Sequence, residues 1–136
     1  MRATVRNLIL STPTLLAVVP ADRWYAPGGV VDSPPKPFVV LRWLAPVTGN
    51  AKSTFAKQLR VDVHDKRGSY QKIEQVLGSP DKGTGIYGLF SAVHDLVGVD
   101  GRITQMDYLG HSGDQEDDTY MTNFKFSSWQ VIGVDL

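Results

Sequence analysis

The chain has no cysteine among its 136 residues. That excludes disulfides, thiol catalysis and zinc–thiolate sites, and it leaves the redox compartment open. Nor is there a surplus of charge of one sign: fourteen Lys and Arg balance fourteen Asp and Glu. Nucleic-acid binders draw affinity from neutralised phosphates, so a neutral total gives no electrostatic argument for that class. It does suit a protein that meets other proteins. No apolar run reaches the roughly 18 residues needed to span a bilayer, which predicts no membrane partner. No internal repeat or low-complexity tract interrupts the chain. What is present is ordinary globular composition, 42% hydrophobic and 21% charged, and a length that predicts a single domain over residues 1–136.

The opening "MRATVRNLILSTPTLLAVVPA" has two arginines followed by an apolar stretch, as a secretory signal does. Ser11, Thr12, Pro13 and Thr14 interrupt that stretch, and Val5, Leu8 and Ile9 have amphipathic spacing, so a folded helix over 3–10 is the better reading. Thr12 before Pro13 marks a second short helix ending near Pro20. Residues 20–37 hold five prolines and two adjacent glycines and read as an irregular connection.

"FVVLRWLAP" (38–46) reads as a strand that is apolar on both faces, with Val39, Leu41 and Trp43 pointing one way and Phe38, Val40 and Leu44 the other. Such a strand needs cover on both sides, from helices or from a partner chain. A polar arm follows at 47–54. "FAKQLRVDVH" (55–64) alternates, with Gln58, Arg60, Asp62 and His64 on its polar face, and predicts a half-buried strand. Ser69 is placed to cap a helix lined by Tyr70, Ile73, Val76 and Leu77, which Gly78 and Pro80 stop. In "GTGIYGLFSAVHDLVG", Ile86, Leu89, Phe90, Val93, Leu96 and Val97 keep helical spacing throughout. Strands follow at 102–109 and from Thr119 to Ile132. Adjacent strands favour hairpins, so the expected fold is α+β: a mostly antiparallel four-stranded sheet with helices packed on one face.

The chemistry-bearing candidates are few. The acidic loop 110–118 sets His111 beside Asp114, Glu116, Asp117 and Asp118. Read as an EF-hand from Asp114, it puts Thr119 at the sixth position and Lys125 at the twelfth, so the pattern fails. His64 and His94 are too remote in sequence to complete a zinc motif. "GTGIYG" (83–88) matches G-x-G-x-x-G but follows a helix rather than a strand, and in "GSPDKGTG" the lysine precedes the glycine it should follow. His111 beside Ser112 is a sequence neighbour, not a triad. His64 and His94 read as surface histidines. The expectation is therefore no catalytic residue, no cofactor and no metal, with the acids forming a solvated loop. The surplus of apolar strand faces points to oligomerisation.

Four passages together carry a resemblance across nearly the whole chain: "TPTLLAVVP"; "PPKPFVVLRW"; "LRVDVHDKRGSYQKIEQVL"; and "YLGHSGDQEDDTYMTNFKF". In order and spacing they resemble the tail terminator (tail completion) proteins of long-tailed phages, particularly those infecting actinobacteria. Only the 78–85 segment is longer than that pattern. The resemblance implies a non-enzymatic virion protein, assembled in the host cytoplasm and located at the phage neck. It would form a homo-hexameric ring that caps the head-proximal end of the tail tube. Its partners would be the tail tube protein and the head–tail connector, with DNA only as cargo through the channel. Interface candidates are Val39, Leu41 and Trp43 on the first long strand, Thr48, Asn50 and Lys52 on the polar arm, and Asp114, Glu116, Asp117 and Asp118. Two other readings stay open: a small metal-dependent hydrolase using 111–118, and a dimeric cellular binding module.

Overall fold

The computed structural model describes residues 1–44 and 56–135. Thr48, Asn50 and Lys52 of the polar arm lie outside the described residues. The chain opens with α1 (Arg2–Leu10) and α2 (Pro13–Leu16). Strand β1 (Trp24–Tyr25) follows, flanked by single 3-10 turns at Ala21–Arg23 and Pro27–Gly29. Next come β2 (Phe38–Leu44), β3 (Ala56–Lys66), α3 (Gln71–Leu77) and α4 (Gly85–Ser91). The chain closes with β4 (His94–Val97), β5 (Gly101–His111), β6 (Gln115–Asp117) and β7 (Thr122–Asp135).

The fold is α+β, but the sheet is not the expected four-stranded antiparallel one. It has seven strands in the order β1-β2-β3-β7-β5-β4, with β6 paired to β7, and it curls into a half-barrel. It is mixed, because β1 runs parallel to β2. The three added strands each have a local cause. Trp24–Tyr25 sits between proline-bounded turns inside the proline-rich connection and pairs with Val39 and Val40. The helix predicted through Val97 stops at Ser91, with Asp95 turning through the left-handed region (φ 57°). Val93 and Leu96 still face the core, from a loop and a strand. Gln115–Asp117 pairs with Thr122–Phe124 of β7, taking over where β5 leaves off.

Alternation along β2, β3 and β7 divides the sheet into two faces. Val39, Leu41, Leu59, Val61, Val63, Trp129 and Val131 form one core with Val5 and Ile9 of α1, Ile73 and Val76 of α3, and Ile86 and Phe90 of α4. Burial of each such side chain stabilises by about 1.5–3 kcal/mol. Val39 and Leu41, read as interface candidates, are therefore covered by the chain's own helices, and only Trp43 remains half-exposed. No α-helix among the described residues covers the other face, yet Phe38 and Val40 are fully buried there as well.

Between α3 and α4 the 78–85 segment forms a corner that only glycine allows. A Cβ at Gly78 would lie 1.7 Å from the Thr84 carbonyl oxygen, and one at Gly88 would lie 2.1 Å from that of Gly83. The G-x-G-x-x-G pattern thus serves close backbone packing, not a phosphate.

Candidate functional site

The acidic segment is largely exposed to solvent, as expected, but it carries the short strand β6 paired to β7 and so forms a hairpin rather than a loop. Ser112 fixes its start: its Oγ accepts the Phe126 N–H at 2.9 Å and donates to the Gly113 carbonyl at 2.9 Å. Tyr70 donates its hydroxyl proton to the Gln115 carbonyl at 3.0 Å. The four acids do not converge. Asp114 faces Lys125 at 3.6 Å, and Asp118 pairs with Arg67 at 2.6 Å. Asp117 accepts the Tyr120 N–H at 3.0 Å, closing the turn, while Glu116 is exposed. Among the described residues no three His, Asp or Glu side chains are grouped to hold a metal ion.

Beside this hairpin lies a cavity of about 690 Å³, walled by α3, the 78–84 corner, α4, β5 and β7. Its floor is aromatic. Tyr87 and Tyr108 meet edge to face with centroids 5.1 Å apart, and both pack on Trp129. Burial pushes the Tyr108 phenol pKa up, and the neighbouring Tyr87 adds to the shift. The Tyr108 hydroxyl lies 2.5 Å from His111 Nδ1. On a regular strand, residues three apart point to opposite faces. Here Tyr108 pairs with Trp129 and Gly110 with Ser128, which leaves Leu109 as an extra residue. This bulge turns His111 onto the face of Tyr108. Ser127, opposite His111 in register, and Lys125, two residues earlier on β7, line the same cavity.

The helix-free face carries a second polar assembly. Asp62, 1% exposed, accepts bonds from Arg42 Nε at 2.7 Å and from both Nε and Nη2 of Arg60. The Arg60 guanidinium also lies 4.3 Å above the Phe126 ring, a cation–π contact. Next to them His64 is stacked between Phe38 and Phe124, with centroid distances of 4.6 and 4.9 Å. Its Nδ1 lies 2.8 Å from Thr122 Oγ1, and Tyr120 meets the ring edge-on. Burial pulls its pKa down to about 4. The expected surface histidine is thus 3% exposed, and β3 is buried on both faces rather than half-buried. Alternation showed that His64 and Asp62 share a face with Arg60. It carried no sign that Phe38 and Phe124 would cover that face from neighbouring strands.

At the β4 edge, Val97 and Val99 are 69% and 74% exposed. Arg102 pairs with Val97 on one side and Val134 on the other, and its guanidinium holds the Asp95 carboxylate, keeping that carboxyl below the usual range. The chain matches no protein-family profile and no curated protein sequence.

Proposed function

We propose that this chain is a structural virion protein of the tail-terminator type. Copies associate edge to edge into a closed ring at the head-proximal end of a phage tail tube. The ring ends tube polymerisation and joins the tail to the head connector. The four quoted passages, in their order, support the terminator identity and the sixfold number.

The observation that carries the ring is the bare β4 edge. Among the described residues β4 pairs only with β5, and Val97 at its end and Val99 just beyond it are the two most exposed large apolar side chains. An open strand edge with exposed apolar residues is a template for pairing with another chain. The opposite edge is built differently, from the two residues of β1 and from β2, where Leu44 is 40% exposed. Contact between unlike surfaces is heterologous, and such contacts give rings when the rotation closes. The hydrolase reading finds no converging ligand set among the described residues, where Asp114 and Asp118 face cations of the chain itself.

Electron microscopy of tail tubes assembled with and without the protein tests the proposal. The expected result is a ring at one tube end and arrested growth, with both lost in a Val97→Asp/Val99→Asp variant that keeps its fold. Bare tubes of unchanged length with the wild-type protein would overturn it. A dimer formed in solution and indifferent to tubes would favour the binding-module reading instead.

A further inference from the structure

We propose that the cavity between α3, α4, β5 and β7 binds the carboxylate side chain of an acidic segment presented by a protein partner. The inference stands independently of the ring, because it rests on a count of hydrogen-bond donors. Tyr108 and His111 share one proton across 2.5 Å. Whichever group holds it, the pair has one donor left over: imidazole Nε2–H in one arrangement, the phenol O–H in the other. Ser127 Oγ accepts the Trp129 indole N–H at 3.0 Å. Among the described residues its own proton has no acceptor, although the side chain is 2% exposed.

Lys125 supplies the third donor. Its side chain is 15% exposed, and its ammonium meets Glu74 at 3.2 Å and Asp114 at 3.6 Å. Both are single-point contacts with carboxylates that are 61% and 63% exposed. An incoming carboxylate therefore replaces partners that return to water without desolvation. Two neutral donors and one ammonium lining the same cavity select an acceptor-only, anionic group. Lys82 on the rim adds a second positive charge to the lining, against the single carboxylate of Glu74.

The peptide part of the proposal comes from α3. Gln71 and Gln75 line the cavity one helical turn apart, so their carboxamides lie side by side on one face. Each carries both a donor and an acceptor, which matches a peptide backbone. A volume of about 690 Å³ lies within the usual range for ligand sites and holds an acidic side chain together with its neighbours.

The test is a ¹⁵N–¹H NMR titration of the full chain with three probes: a blocked hexapeptide with two central glutamates, its glutamine counterpart, and succinate. The glutamate peptide is expected to shift the amides of His111, Lys125 and Ser127 and to bind at least roughly tenfold tighter than the glutamine peptide. Lys125→Gln, which removes the charge but keeps a long polar side chain at this largely buried position, should reduce that preference severalfold. Ser127→Ala, which also removes the acceptor of the Trp129 indole N–H, should weaken the glutamate peptide while the amides of α1 keep their shifts. Equal binding of the two peptides, or no shift at the cavity at millimolar peptide, overturns the proposal. Succinate binding as tightly as the peptide overturns the protein partner in favour of a small acid. The same amides shifting with protein concentration alone would make the occupant a second copy, and that also overturns it.

Discussion

Tyr108 and His111 lie three residues apart on one strand, yet their polar atoms meet at 2.5 Å. The bulge between Tyr108 and Gly110 makes this contact, and Gly110 supports it with a φ of 138°. Nothing lies within 4 Å of a Cβ built there, so a larger residue meets backbone strain rather than a clash. Gly110→Val should destabilise the fold by about 1–3 kcal/mol, read from urea denaturation. It should also separate the Tyr108 and His111 ring resonances. An unchanged midpoint would show that the bulge relaxes freely.

His64 gives the fold an acid limit. Its folded pKa of about 4 lies below the ordinary imidazole value of 6.5, so below pH 6.5 the unfolded chain takes up a proton that the folded chain refuses. The stability present above pH 6.5 is lost as pH falls toward 4, by about 3 kcal/mol in all. Asp100 and Asp135, held below the usual carboxylate range by their hydrogen bonds, contribute stability that is lost only at lower pH. His64→Phe should flatten the dependence between pH 6.5 and 4 and leave the lower limb in place. An equally steep profile in that variant would assign the proton to another group.

Asp100 caps α1 from the far end of the chain. Its carboxylate accepts the Ala3 and Thr4 backbone N–H groups at 2.8 and 2.9 Å, and the Thr4 hydroxyl at 2.6 Å. It therefore satisfies amides that no residue of α1 itself reaches. Asp100→Ala should lower stability by about 1–2 kcal/mol and speed amide exchange at Ala3 and Thr4. Protection unchanged at those two amides would remove the capping role.

Asp62 holds two arginines on the helix-free face. Asp62→Leu leaves both guanidinium groups without their shared carboxylate. Because Arg42 and Arg60 are 37% and 30% exposed, they can turn to water. The expected loss is about 2 kcal/mol, less than the 3–5 typical of a fully buried pair. Arg42→Met in the same background should restore part of it. A double variant no more stable than the single one would show that the arginines do not share the carboxylate energetically.

The long elements were legible because their periods are strong. Val5 and Ile9, Ile73 and Val76, and the alternating Leu59, Val61 and Val63 place α1, α3 and β3 without further information. Three strands were not legible, each for a physical reason. Trp24–Tyr25 is too short to carry a period. Val93, Leu96 and Val97 continue the helical spacing of α4 although Ser91 ends it. Gln115–Asp117 is polar and mostly exposed, so its strand conformation comes from β7 and not from its own residues. The acidic segment stood out as a composition. Its partners Arg67 and Lys125 belong to other parts of the chain, and no local spacing connects them. The cavity depends on one extra residue in β5, which shifts every side chain beyond it to the opposite face.

The glycine corner between α3 and α4 has an evolutionary consequence. The rim of the cavity rests on Gly78 against Thr84 and on Gly88 against Gly83, peptide unit against peptide unit. Those close approaches are backbone against backbone, so they do not depend on the side chains of Gln71, Gln75 or Lys82, whereas Ser79 Oγ accepts the Asp81 N–H at 3.2 Å inside the corner. Related chains are free to recolour the lining with other charges and shapes while the rim stays where it is. Substitution at the glycines closes that freedom, since any Cβ there displaces the frame itself. Variation among descendants should therefore collect in the cavity's side chains and be scarce at the corner that holds them.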